Sequence, residues 1–486
     1  MTRSPDVGHG AGLPQDPLAG TGGGRFGRMF AAGSDPGIDE IGEVVRRMRV
    51  LSELSHSEND EIPAGFTYLG QFIDHDLTFD ALSKADEFNE LQELVNFRTP
   101  RLDLDSVYGA GPQDQPFLYE WADRNNRGVK LLVGRLPAGN DRAEEDLPRN
   151  EEGLALIGDA RNDENLIVSQ LHLLFIRFHN NVVEQVRKDE PALAGQELFE
   201  RARTHVRRHY QWIVVDDFLR RVVGQDLVDE VLRPAATPDD TPTVRRLFFE
   251  WEDELFIPVE FSGAAYRFGH AMVRPSYLMR PDKVADIFPP DGVTPGNFDL
   301  SGFRPLPHDL RIDWDLFFFD PPHPPAGTSK RNHSLLINNR LTPQLFALPD
   351  QRVLPLLNMK RGRALQMPSG QEVAAEMQRK LGAAIKPLDA FELQLDPDGP
   401  ACLNDNLLKR MPLWYYLLCD ANFHGAGGHH LGPIGGRIVA EVLLGLLEAD
   451  SESFLKQPGW RPTLRARERG EFKMVDLVSF ALGRTP

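Results

Sequence analysis

Gly70-Gln71-Phe72-Ile73-Asp74-His75-Asp76 packs more chemistry into seven residues than a core helix needs. Three chemistry-bearing side chains stand side by side, with a glutamine four positions before the histidine. Burying two carboxylates and an imidazole is costly unless each finds a partner. The apolar neighbours Phe66, Leu69, Phe72, Ile73 and Leu77 argue against full exposure. The segment therefore serves a site whose other half lies elsewhere in the chain. On a helix, Gln71 and His75 share a face. Asp74 and Asp76 each point about 100° away from His75 and serve different partners. Pro63 suits the first turn of such a helix.

The totals set the frame. The chain has 486 residues, 41% of them hydrophobic, enough for a large core. A net charge of −18 and a pI near 5.3 argue against a nucleic-acid partner or an anionic membrane surface. No apolar run approaches the roughly 20 residues of a membrane span. Residues 1–24 are rich in Gly, Pro and Asp and lack an apolar signal core. The expectation is a cytoplasmic protein, or one secreted without a Sec signal peptide. Cys402 and Cys419 cannot build a disulfide framework and read as free thiols.

Outward from the heptapeptide, residues 1–33 lack periodicity and read as a flexible arm. Helical spacing is predicted over 38–55, and over 195–223, 370–381, 404–424 and 433–448; a helical pattern is also expected over 334–348. The most apolar helix follows Asp163, read as its N-cap, and carries His172 and His179 on one face. These two suit satisfied core histidines better than metal ligands. A short strand is expected at 130–134, and the acidic turn 141–153 reads as solvated surface. Within 258–277, small residues (Gly263, Ala264, Ala265, Gly269, Ala271) surround His270 and leave room for something flat and large. His424, His429 and His430 share a Gly-rich turn, where surface histidines are commoner than a metal site. In 96–109, Thr99, Arg101, Asp103 and Asp105 alternate at period two. Converging oxygens there suit Ca²⁺, although on this pattern alone an ordinary surface turn is the commoner explanation.

Four segments in order, GQFIDHDLTFD, TPRLDLDSVYG, GDARNDENLIVSQLHLLFIRFHN and YRFGHAMV (Tyr266–Val273), with LNMKRGR as a fifth, resemble the animal-type haem peroxidases of the peroxidase–cyclooxygenase superfamily, in a bacterial-like form. The resemblance implies a mostly α fold with few short strands, occupying 34–486 as one catalytic domain. It implies haem b and Ca²⁺ as cofactors, and hydrogen peroxide and a small organic, halide or pseudohalide donor as substrates, in a response to oxidative stress. His75 matches the distal base, a task a neutral imidazole suits. Arg161 matches the cation that stabilises charge on the departing oxygen. Gln71 matches the glutamine that positions peroxide or halide. His270 matches the proximal iron ligand, and Asn358 the residue bonded to its other ring nitrogen. Asp74 and Glu164 fall where many members ester-link the haem. Asn165 replaces the methionine that forms a sulfonium link in the most halide-oxidising member. Asp76, Thr99, Arg101 (through its carbonyl), Asp103 and Asp105 match the calcium ligands, with Asp105 where mammalian members commonly have serine.

Rival readings start from the same residues. The fatty-acid dioxygenases of the superfamily use a tyrosine three residues before the proximal histidine; that position is Arg267 here, with Tyr266 one place earlier. A non-haem metal hydrolase would pair His75-Asp76 with His172, His179 or His270, leaving Gln71, Arg161 and Asn358 without roles. A non-catalytic haem-binding module would not need His75, Arg161 and His270 together.

Overall fold

The structure is a computed structural model and describes residues 24–33, 37–54, 56–79, 95–135, 145–237, 239–251, 254–290, 293–319, 331–394 and 403–485. Its organising element is the helix Leu166–Asp189, buried on most of its surface. Asn165 caps it, its side-chain oxygen accepting from the Ile167 amide at 2.8 Å. Arg187 and Lys188 in the last turn suit the negative end of the helix dipole. The predicted N-cap, Asp163, lies instead in the short 3₁₀ turn Ala160–Asp163. Arg149 claims both its oxygens, at 2.6 and 2.7 Å. Helices Gly195–Ile213, Gly65–Leu77 and Met474–Ala481 pack around this centre. A second group, Leu354–Ala364, Gly370–Leu381, Leu413–His424 and Pro433–Ala449, packs beside it. The 3₁₀ segment Ala265–Met272 touches both Gly65–Leu77 from the first group and Leu413–His424 from the second.

The mostly α architecture with a few short strands is as expected, and four local expectations are corrected. Residues 24–33, expected to belong to a flexible arm, are built into the fold. Gly24–Gly27 is the middle strand of a three-stranded sheet, antiparallel to Val95–Asn96 and parallel to Phe256–Pro258. Phe26 and Phe30 are buried, and Glu260 accepts from the Met29 and Phe30 amides at 3.1 and 3.3 Å. Residues 1–23 lie outside the described residues. Pro63 ends the strand Glu58–Pro63 rather than opening a helix, and Gly65–Leu77 starts two residues later. The segment 334–348 gives the strand His333–Leu335, paired with Glu58–Pro63, and a 3₁₀ turn, Pro343–Phe346. Asp146, within the turn expected to be solvated, is buried and accepts from Gln170, Arg149 and the Leu306 amide. Asp141 and the acidic residues up to 144, like Cys402, lie outside the described residues.

The helix from Gly195 runs on through a π-helical stretch, Val214–Leu219. An extra residue in a turn re-aims side chains. Here Phe218 lies against both Gly70, where an added Cβ would come within 3.3 Å of its ring, and Tyr266. Among the described residues no helix is long and apolar enough to cross a membrane.

Candidate functional site

Helix Gly65–Leu77 divides the three residues of its last turn among three surroundings. His75 is buried, and its Nδ1 lies 2.8 Å from Asn162 Oδ1. Its Nε2 lies 3.7 Å from Glu164 Oε1, too far for a hydrogen bond. Gln71, one turn earlier, donates through Nε2 to that same Glu164 oxygen. Asp74 is half-buried and accepts from Thr78 Oγ1 at 3.1 Å. Asp76 is fully buried on another side. The expected divergence of the three side chains is therefore present.

Arg161 comes to this group from the Ala160–Asp163 turn. Its guanidinium donates to the His75 carbonyl at 3.1 Å and to Asp159 at 2.7 Å, and lies over the Phe79 ring at 4.6 Å. Asp159 also caps the turn, accepting from the Arg161 amide at 2.9 Å, and pairs with Arg98. Burial alone would raise the Asp159 carboxyl, but Arg161 and Arg98 hold it well below the usual range. Burial, then the charge of Arg161, lowers the His75 pKa, against the opposing pull of Glu164, Asp159 and Asp74. The imidazole is thereby kept neutral. A second segment clamps the turn from outside. The Gly302 and Phe303 amides donate to the Glu164 and Asp163 carbonyls at 3.1 and 2.7 Å. A Cβ at Gly302 would fall 1.8 Å from the Asp163 carbonyl oxygen, so only glycine permits this approach.

His270 lies in the 3₁₀ segment that packs against the same helix. Its Nδ1 is 2.8 Å from Asn358 Nδ2, and Asn358 Oδ1 accepts from Arg267 at 2.9 Å. Arg267, noted in the sequence only because it is not a tyrosine, is thus part of the group that orients His270. The small-residue expectation is borne out at one position. A Cβ added at Gly269 would meet nothing within 4 Å, whereas one at Gly263 would strike Met367. The charge of Asp74 acts on both Tyr266 and Arg267, so the His75 and His270 sides adjoin at this carboxylate.

Ligand oxygens of Asp76, Asp103 and Asp105 lie within 4.8 Å of one another. Leu104, between the last two, has a left-handed φ of 61°. That conformation costs about 1–2 kcal/mol for a non-glycine residue. It turns the Leu104 amide onto Asp76 Oδ2 at 3.2 Å, where Tyr210 also donates. Thr99 Oγ1 donates to Asp103 at 3.0 Å. Asp76 Oδ1 is buried with no hydrogen-bond partner, and Asp105 Oδ1 has only an ion pair with Arg98 at 3.5 Å. Burial, then Asp105 and Asp103, pushes the Asp76 carboxyl well above its usual range; burial pushes Asp105 up to about 7, with Arg98 opposing. The Arg101 side chain is exposed, and its charge opposes the rise of the Asp103 carboxyl. No other group of three or more potential ligands converges among the described residues. The hydrolase reading fails on this point, because His172, His179 and His270 join no such group with His75 and Asp76. The loop histidines do not meet either: His424 pairs with Asp420, His429 with Asn59, and His430 with the Leu431 carbonyl.

Comparison with known proteins assigns this chain to a family. Residues 83–369, more than half of the chain, match the family model for animal haem peroxidases. The chain belongs to that family, whose members are oxidoreductases that bind haem. The matched region begins after His75, which only the fold brings to Arg161. Human thyroid peroxidase is 26% identical over 329 residues, covering 62% of this chain and 32% of its own. Chorion peroxidase of Aedes aegypti is 28% identical over 158 residues, 30% of this chain and 19% of its own. The chain thus spans about a third of the length of the thyroid peroxidase it matches. Two solved structures share the fold. Peroxidase A of Dictyostelium discoideum has a TM-score of 0.54 at 16% identity, covering 88% of both chains. A fatty acid alpha-dioxygenase of Oryza sativa has a TM-score of 0.59 at 15% identity, covering 90% of this chain and 78% of its own.

Proposed function

We propose that this protein is a haem-dependent peroxidase that reduces hydrogen peroxide at the expense of a small organic, halide or pseudohalide donor. The observation that carries the reading is the pair His75 and His270, each tied at Nδ1 to an asparagine, on two segments packed against each other. The residues suit haem: Gly269 opens onto free space beside His270, and His75 and Arg161 meet on the other segment. His270 would hold the iron, with Asn358 and Arg267 orienting it. Haem, when bound, supplies the iron at which the O–O bond of the peroxide breaks.

The chain's own residues move the proton. His75 Nε2 accepts it from one peroxide oxygen and returns it to the departing one, which leaves as water. Arg161, fixed by Asp159, stabilises charge on that oxygen and keeps His75 neutral. Gln71 and Glu164 close one side of the space in front of Nε2. An organic donor supplies two electrons and two protons, which complete the reduction of one peroxide to two waters; a halide or pseudohalide supplies two electrons and takes the second peroxide oxygen, so one water forms. Asp74 and Glu164 are the carboxylates available for ester links to the haem edge. Asp76, Thr99, Arg101 through its carbonyl, Asp103 and Asp105 form the calcium site of this reading. The orphan oxygen of Asp76 and the raised carboxyls of Asp76 and Asp105 suit a hard divalent cation, which would remove the mutual repulsion.

The test is direct. Purified or reconstituted protein should show a Soret band and oxidise a phenolic dye only when H₂O₂ is present. A folded protein that never takes up haem would overturn the reading. Oxygen consumption with a fatty acid and no peroxide would assign it to the dioxygenase branch instead; Arg267 in place of the tyrosine three residues before His270 argues against that outcome.

A further inference from the structure

His75 is the end of a buried chain of three polar side chains. Its Nδ1 lies 2.8 Å from Asn162 Oδ1, and the Nδ2 of the same amide lies 3.0 Å from Nδ1 of His172. The three residues are 2%, 0% and 1% exposed, so water does not compete for these bonds. An amide has one accepting and one donating end. With its oxygen toward His75, that ring carries its proton on Nδ1 and leaves Nε2 as a bare lone pair. With its nitrogen toward His172, that ring is bare at Nδ1. One amide therefore couples the two tautomers. Turning it over would move the His75 proton to Nε2 and abolish the ring as a base on that side.

One contact pulls the other way. The Glu164 carboxylate, 3.7 Å from His75 Nε2, favours a proton there. That separation exceeds a hydrogen bond, and the same oxygen already accepts from Gln71, so the 2.8 Å bond to Asn162 decides. Asn162 is held by the Ala160–Asp163 turn, which Asp159 caps and Gly302 and Phe303 clamp. Burial holds the His172 pKa down at about 3, so the ring is neutral and its Nδ1 is able to accept from the Asn162 amide.

Resting on the peroxidase reading, we propose that Asn162 and His172 are positioning residues that hold His75 in the tautomer with a bare Nε2. The arrangement uses a residue, His172, whose burial in the core otherwise asks nothing of its imidazole.

The test compares haem-loaded wild type with Asn162→Leu, Asn162→Asp and His172→Phe by two readouts. One is the stopped-flow rate of reaction with H₂O₂ at the Soret band. The other is the C–O stretch of the ferrous carbon monoxide adduct, which falls in frequency when an N–H rather than a lone pair faces the CO. Asn162→Leu should lose about 10- to 100-fold in peroxide rate, as orienting partners of active-site histidines do, and its stretch should shift down. Asn162→Asp, which accepts from both rings, should recover most of the rate and the wild-type stretch. His172→Phe frees the amide to turn and should show two C–O bands with an intermediate rate. A wild-type stretch in Asn162→Leu overturns the proposal, as does a single wild-type band in His172→Phe, which decides if the Leu variant fails to take up haem. Equal loss of rate in the Asp and Leu variants with an unmoved stretch would reduce the chain to packing and overturn it too. If wild type itself ignores peroxide, the peroxidase reading falls, while the stretch still decides the tautomer.

Discussion

His75 and His270 are each held by an asparagine, in opposite senses. At His75 the amide offers its oxygen, and the ring donates. At His270 the amide offers its nitrogen, and the ring accepts, because Arg267 can only donate and so takes the Asn358 oxygen. The proximal amide is thus anchored by a cation that fixes its sense. The distal amide sits between two rings and keeps its sense only while His172 stays neutral. The difference matches two tasks. A base needs a bare Nε2 that can gain a proton. A metal ligand bonded through Nε2 becomes more electron-rich when its Nδ1 accepts, and a nearby guanidinium makes that charge tolerable.

Substitutions that act on one side only are the way to break this comparison. The largest effect is expected at His75. His75→Ala should keep haem and lose about 10²- to 10⁴-fold in peroxide rate, the usual contribution of a positioned base; stopped-flow at the Soret band reads it, and unchanged reactivity would remove His75 from the mechanism. Asn358→Ala should act on the other side, weakening haem retention by about 10- to 100-fold, as measured by transfer of haem to apomyoglobin. Calcium should stabilise both sides through Asp76, which adjoins His75 in sequence. At a hundredfold excess over its Kd, calcium should add about 2.7 kcal/mol to unfolding stability. Asp103→Asn with Asp105→Asn should abolish that gain in thermal melts, and a midpoint indifferent to calcium would contradict the site.

A further effect is a pH dependence spread over the core. Burial lowers the pKa of His172 and His209 to about 3 and of His179 to about 4. Their unfolded values lie near 6.5. As pH falls below about 6.5 the unfolded chain gains these protons and the folded chain does not, so stability is full above that pH and declines toward pH 3–4. His209 shows why: its Nε2 accepts from the Thr463 and Leu464 amides while Nδ1 donates to the His205 carbonyl, which leaves no place for a second proton. Denaturant unfolding followed by circular dichroism from pH 7 to 4 should show the decline; a flat profile would contradict it.

The sequence made the long elements legible because their apolar spacing is periodic. Leu166–Asp189 and Pro433–Ala449 are of this kind. Short elements were not legible. The strand at Gly24–Gly27 is written in partners 70 or more residues away, not in its own glycine-rich sequence. The π-helical stretch leaves no mark in the apolar pattern. At the site, the motif residues Gln71, His75, Arg161, Glu164, His270 and Asn358 were all readable, and so were the carboxylates Asp76, Asp103 and Asp105. What was missed is what orients them: Asp159 under Arg161, Arg267 under Asn358, Asn162 beside His75, and Gly302 behind the turn. Each acts through a contact fixed by tertiary packing, with no spacing signature. Asn162 left one faint signal: every residue from Arg161 to Asn165 at the entrance of a buried helix is polar, more than a cap requires.

In the proposed function His270 holds the iron and His75 acts on the bound peroxide. The most direct measurement is the iron–histidine stretch of the ferrous haem-loaded protein by resonance Raman. It should be present in wild type and in His75→Ala and absent in His270→Ala. A stretch that survives in His270→Ala, or that vanishes in His75→Ala, would contradict the assignment.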